Sequence, residues 1–140
     1  MTLYIKKLHP YAKIPSYAHI LDAGMDLFSC EEIILPPHER KLVPTGIAMA
    51  IPQGYVGLIW DKSGIASKGI KTMGGVIDSN YRGEIKVIMH NLSTEVYKIE
   101  QGHKIAQMLI QEVKQKEIVE VEDLEETDRG AGGFGSTGLK

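Results

Sequence analysis

Asp78 and Tyr81 stand three residues apart in "GGVIDSNYRGE", Gly74 to Glu84, behind a Gly74-Gly75 pair. Paired glycines let a backbone turn sharply or approach a ligand closely. Val76 and Ile77 read as a short strand, and "SN" as the turn after it. A hairpin tip here would present a backbone edge, a carboxylate and an aromatic face together. The plainer reading is an ordinary turn, capped by Asp78, with Tyr81 half buried. A second set lies in "WDKSGIASKG", Trp60 to Gly69, where a strand end runs into a short helix. Ser63 near that helix start, Gly64 beside it and the charge of Lys62 suit an anion, because the first N–H groups of a helix are free. A Ser N-cap with no ligand explains the same residues equally well. Asp26 sits in the apolar run "AGMDLFS", and Gln107 in "GHKIAQMLI". A carboxylate or amide in such a run must be exposed, paired or used. Finally "RGAGGFGSTG", Arg129 to Gly138, is half glycine with one large apolar residue, Phe134. It reads as a disordered tail. Yet Arg129 can fork onto phosphate, Phe134 can cover a base, and Ser136, Thr137 and the small-residue N–H groups around Gly135 can donate to oxygens.

Three familiar signatures fail on their surroundings. "GFGSTG", Gly133 to Gly138, has the dinucleotide-binding spacing, but only Leu139 and Lys140 come after it, too few for the required helix. "GIASKGIKT" resembles a phosphate-binding loop, but Ile70 parts Gly69 from Lys71. The five histidines show no metal-ligand spacing. A net charge of −2 offers no footprint for a nucleic-acid polymer, and no apolar run approaches the ~18 residues of a membrane span. The start of the chain has no apolar signal segment. Cys30 is the single cysteine, which excludes an internal disulfide and fits a reducing cytoplasm.

The elements that must position these groups are short strands. "TLYIKKL", "MDLFS", "EIILP", "RKLVPTGIAMAI", "GYVGLIW", "GEIKVIMHN", "VYKI", "KIAQMLIQEV" and "EIVEVEDL" are rich in Ile, Val and Tyr, with prolines at the joints between them. The best helical piece is short, around "KSGIASK". The pattern predicts one all-β domain, a sandwich, jelly roll or barrel. A last strand over Glu117–Leu124 leads into an acidic exposed linker ending at Asp128. We therefore expect a body over residues 1–128 and a flexible lid over 129–140.

In this order the five segments resemble the motifs of the homotrimeric dUTPases: "AGMDLFS" the first, "DKSGIAS" the second, "GGVIDSNYRGE" the third, "GHKIAQMLI" the fourth and the tail the fifth. The resemblance runs from about Ala23 to Gly138. It implies a β-clip or jelly-roll fold, a homotrimer with shared sites, and Mg²⁺-assisted hydrolysis of dUTP to dUMP and pyrophosphate. On that resemblance Asp78 activates the attacking water, and Tyr81 packs under the deoxyribose. Backbone around Gly75 and Val76 reads the uracil. Lys62, Ser63, Gly64 and Gln107 hold phosphates, and Asp26 belongs to the network near the metal-bound triphosphate, with no direct protein ligand to the metal. Arg129, Gly135, Ser136 and Thr137 grip the substrate from the tail while Phe134 covers the base.

Four positions depart from the commoner pattern: Met25, the pair Asp61-Lys62, Asn80 and His103. Lys62 matters most, because lysine cannot reproduce an arginine fork, and Asp61 stands ready to pair with it. A related deaminase would carry a catalytic Glu ten residues after Asp78, where this chain has Ile88. The other alternative is a non-catalytic nucleotide-binding or regulatory protein on the same fold.

Overall fold

Alternation of buried and exposed side chains decides most of the strands. From Lys86 to Asn91, Val87, Met89 and Asn91 are buried while Lys86 and Ile88 face outward, the period of two that a sheet imposes. The computed structural model describes residues 1–140. Its elements are β1 (Tyr4–Lys7), β2 (Met25–Phe28), β3 (Ile33–Leu35), β4 (Arg40–Pro44), β5 (Ile47–Ala50), β6 (Tyr55–Trp60), α1 (Ser63–Ala66), β7 (Ile70–Thr72), β8 (Val76–Ile77), β9 (Lys86–Asn91), β10 (Tyr97–Ile99) and β11 (Lys104–Glu112). The chain is nearly all β, with one short helix, as expected.

Four antiparallel sheets wrap one core. Strands β2, β11, β6 and β8 lie side by side in the largest; β4, β9 and β7 form the second; β1 pairs with β5 and β10 with β3. Leu27, Leu35, Val43, Ile47, Met89, Ile105 and Met108 are among the fully buried side chains between them. Each such residue contributes about 1.5–3 kcal/mol of burial. Asn91 is a polar member of this interior and is satisfied: its Nδ2 donates to the Leu35 and Glu95 carbonyls, and its Oδ1 accepts from the N–H and hydroxyl of Ser93.

Several sequence expectations are corrected. The run "RKLVPTGIAMAI" divides into β4 and β5, because Gly46 turns the chain at a positive φ of 69°. A β-carbon there would crowd His9 and Ala12. Strand β7 has no sequence signature; three residues are too few to show a period. The predicted strand Glu117–Leu124 does not form, and Ile118, Val119, Val121 and Leu124 are exposed. Their spacing of one, two and three residues holds no strand period, and no strand pairs with them. The third-motif strand β8 does not close a hairpin with β9. It pairs with β6, while β9 pairs with β4 and β7.

Candidate active site

Where β6 ends, one residue ties three strands together. The Asp61 carboxylate accepts the Thr72 N–H at 2.7 Å and pairs with Lys71 Nζ at 2.5 Å, while its backbone oxygen accepts Gln107 Nε2 at 2.8 Å. Burial pushes this carboxyl up, but the hydrogen bonds from Lys71 and Thr72 outweigh it and hold it below its ordinary value. Asp61 thus pairs with Lys71, and the pairing with Lys62 that the sequence allowed does not form. The anchored chain then enters α1. Lys62, not Ser63, occupies the N-cap, with extended backbone and no side-chain cap. Ser63 is the first helical residue, so its N–H and that of Gly64 find no backbone acceptor in the chain.

These free donors open onto a cavity of about 260 Å³ lined by Asp22, Ala23, Gly24, Asp26, Lys62, Ser63, Gly64 and Gln107. Four of the predicted substrate residues and Asp26 therefore meet in one place. Gly24 leaves room for the Gln107 amide: a β-carbon would lie 2.3 Å from Gln107 Oε1, so that side chain would have to shift. Gln107 faces Asp26 across the β2–β11 pair and Trp60 across the β6–β11 pair.

Asp26 is 2 % exposed. Its Oδ1 accepts Lys62 Nζ at 2.5 Å. Lys104 Nζ stands 3.0 Å from Oδ2, an ion-pair distance outside hydrogen-bond geometry, so that oxygen has no hydrogen-bond donor. Burial pushes the carboxyl up, but the hydrogen bond from Lys62 and the charges of Lys62 and Lys104 prevail and hold it below the ordinary value. The sequence reading missed Lys104 entirely.

The third-motif residues lie elsewhere. Gly75 has φ 123°, and a β-carbon on it would come 2.5 Å from Ile59 Cβ; its oxygen accepts the Ile59 N–H at 2.9 Å. That close approach lays β8 on β6 and leaves Val76 facing outward. A turn comes next, closed by the Tyr81 N–H on the Asp78 carbonyl and braced by Arg82 on the Ser79 and Tyr81 carbonyls. The Tyr81 hydroxyl donates to the Glu84 carbonyl at 2.8 Å. The Asp78 carboxylate has no hydrogen-bond donor or cation partner within the chain, in contrast to Asp26 and Asp61. Val76, Asp78 and Tyr81 line a second cavity of about 460 Å³ with Leu42 and Ile88, and Asp78 also borders a groove of about 1200 Å³. Neither shares a lining residue with the first cavity.

Residues 129–140 line none of these cavities. Residues 114–140 contain no strand or helix and are exposed, and no hydrogen bond ties them to the body. Four-residue turns succeed one another, with Arg129 Nε donating to the Gly132 carbonyl at 2.8 Å. Phe134 is fully exposed at a φ of 48°, a left-handed conformation that a ring-bearing residue seldom adopts unaided. Gly135, Ser136 and Thr137 are exposed beside it.

No three His, Cys, Asp or Glu side chains gather to hold a metal ion, and both oxygens of Asp26 face ammonium groups. The donor set therefore fits Mg²⁺ only as an ion held by phosphate oxygens and water.

An all-β scaffold with a cleft of cations, hydroxyl and free N–H groups, and with an uncommitted carboxylate beside an aromatic ring, defines a class: proteins equipped to hold a nucleoside phosphate chain. A sequence model of the dUTPase family matches residues 10–138. The chain is 52% identical to the deoxyuridine 5'-triphosphate nucleotidohydrolase of Nautilia profundicola and 49% identical to that of Clostridium kluyveri, over 99% of each chain in both cases. Among solved structures it superposes with a TM-score of 0.94 on a mutant dUTPase of Staphylococcus bacteriophage 80alpha with dUpNHpp, at 32% identity over 99% of each chain. A mutant dUTPase from phage phi11 of S. aureus, which coordinates a structural Mg(II) ion, matches with a TM-score of 0.83 at 31% identity, over 88% of this chain and 98% of that one. The chain belongs to the dUTPase family.

Proposed function

We propose that this chain hydrolyses dUTP to dUMP and pyrophosphate in sites completed by more than one copy of itself. The observation that carries the reaction is the first cavity, where Lys62, Ser63, Gly64 and Gln107 present donors to one volume. Such a set suits a phosphate chain, because charge-assisted and N–H donors together offset several negative oxygens. The base is Asp78, whose carboxylate nothing in its own chain neutralises. It takes a proton from water as that water attacks the α-phosphorus; the bond from that phosphorus to the bridging oxygen breaks, and pyrophosphate leaves. Tyr81, fixed by the Glu84 carbonyl, sits under the sugar, where a 2′-hydroxyl would collide with it. The backbone at Gly75 and Val76 reads the uracil edge. Mg²⁺ held by phosphate oxygens and water would neutralise part of the charge that develops there.

The separation of the two cavities supports a homotrimer in which the cleft, the Asp78 turn and the tail of each site come from different copies. Within residues 1–128 the strands end at Glu112 and an exposed linker follows; residues 129–140 form the lid. Ordering about ten tail residues costs on the order of 10 kcal/mol of backbone entropy, which only a bound, highly charged ligand offsets. Arg129, Gly135, Ser136 and Thr137 then hold the substrate, and Phe134 covers its base. No helix is long and apolar enough to cross a membrane, and the unpaired, buried thiol of Cys30 supports a cytoplasmic setting.

Pyrophosphate release from dUTP, UTP, dCTP and dTTP tests the reading. Release from dUTP far above the other three supports it. No release from dUTP, or equal release from UTP, contradicts it.

A further inference from the structure

Lys104 reaches the cleft through a fault in strand pairing. On β2 and β11, Asp26 faces Gln107 and Leu27 faces Ala106; continued regularly, Phe28 would face Ile105. Instead Phe28 faces Lys104, so one residue is slipped between Lys104 and Ala106. Side chains alternate between the faces of a strand, so a slip of one residue changes the face on which all later side chains emerge. Without it, Lys104 would point away from Gln107 and Asp26. With it, Lys104 emerges on their side, and its ammonium stands 3.0 Å from Asp26 Oδ2. Bulges are used in this way to re-aim a side chain beside a site.

The two lysines at Asp26 are not equivalent. Lys62 Nζ lies on Oδ1 in hydrogen-bond geometry and lines the cavity; Lys104 lies on Oδ2 without a hydrogen bond and does not line it. Asp26 itself is nine-tenths buried and more. A buried carboxylate that loses its only cation is strongly destabilised. A lysine that must turn from Asp26 to a phosphate therefore needs a second cation to stay behind.

We propose that Lys104 is a positioning residue for dUTP hydrolysis: it remains as the counter-ion of Asp26 while Lys62 leaves that carboxylate for the triphosphate. The proposal rests on the dUTPase reading of the cleft. In the empty cleft Asp26 parks Lys62 near the phosphate position; on binding, Lys104 takes over the charge of Asp26 and closes onto Oδ2. The handover makes Lys62 mobile at low cost, which suits a lysine in place of a forked arginine.

The test combines steady-state kinetics on dUTP with calorimetric binding of dUpNHpp in the presence of Mg²⁺, both on the full chain. Lys104→Met should raise KM and weaken dUpNHpp binding by about ten-fold, with kcat within about three-fold, because Lys104 serves ground-state binding. Lys104→Arg should restore both. In an Asp26→Asn background, where no charge needs a counter-ion, Lys104→Met should change dUpNHpp binding less than about two-fold. Asp26→Asn alone should keep measurable binding, since both lysines are then free. A ten-fold loss in both backgrounds would mean that Lys104 touches phosphate itself and overturns the proposal. So would no loss in either background, failure of arginine to rescue, or loss of all binding in Asp26→Asn. If the unsubstituted chain releases no pyrophosphate from dUTP, it is the functional reading that fails, and the binding cycle still decides the handover.

Discussion

In the cleft of Asp26, Lys62 and Gln107 nearly every charged or polar side chain has a partner; the Asp78 carboxylate and the Phe134 ring have none. Both regions carry residues of the same family motifs, and both arise from one sequence. The cleft is finished within the chain: Asp61 anchors its floor, Gly24 makes room for Gln107, and two lysines hold Asp26. The Asp78 turn is rigidly made, through Gly75 against Ile59 and Tyr81 on Glu84, yet its functional atoms face open cavities. The tail is not packed at all. On the proposed reaction, the contrast separates what binds from what reacts. Phosphate-holding groups can be satisfied before substrate arrives, whereas a base must keep its lone pairs free, and a lid must stay open until there is something to cover.

The sharpest way to break this contrast is at Asp78. Asp78→Asn keeps shape and removes the base, so turnover should fall ~10²–10⁴-fold while affinity for dUpNHpp measured by calorimetry hardly changes. A comparable fall in affinity would place Asp78 among the binding groups instead. Truncation after Asp128 should come next. It removes no buried residue, so the melting temperature without ligand should hold, while turnover falls by about two orders of magnitude as the grip on the phosphates and the cover over the base are lost. A lowered melting temperature would show that the tail packs on the body.

Asp61→Ala probes the finished side. It strands the Thr72 N–H and frees the Gln107 contact to drift, which should cost about 1–3 kcal/mol in denaturant unfolding and raise KM more than it lowers kcat. Unchanged stability would remove Asp61 as the anchor. The smallest effect should be in acid. The carboxyls of Asp26 and Asp61 are both held below their ordinary value of 3.8, so protons bind the unfolded chain more readily than the folded one. Their contribution is complete well above that value and is lost as pH falls through it and below. Asp26→Asn should therefore flatten the melting temperature between roughly pH 5 and pH 3; an undiminished slope would mean that other groups carry the acid response.

Most strands were legible because alternation survives in short runs, as in β9, and because glycine and proline mark the joints. The cleft was legible as a set of residue types: Lys62, Ser63, Gly64, Gln107 and Asp26 do meet. What could not be read was pairing. Lys104 enters by a one-residue slip, and nothing in "GHKIAQMLI" signals where two strands fall out of step. Asp61 could have paired with Lys62, its chain neighbour, but binds Lys71 ten residues on, brought close by β7, which is too short to recognise. Ile118, Val119, Val121 and Leu124 suggested a strand by residue type, but their spacing holds no period of two and no strand pairs with them.

The central claim is that one site draws on several chains, and mixing two disabled variants tests it most directly. Asp78→Asn lacks the base but has a tail; the variant truncated after Asp128 lacks the tail but has the base. Refolded together in equal amounts, they should regain about a quarter of wild-type pyrophosphate release from dUTP, because in random assemblies one site in four takes its Asp78 and its tail from intact donors. Activity that stays at the sum of the two separate variants would contradict the account and return the whole site to a single chain.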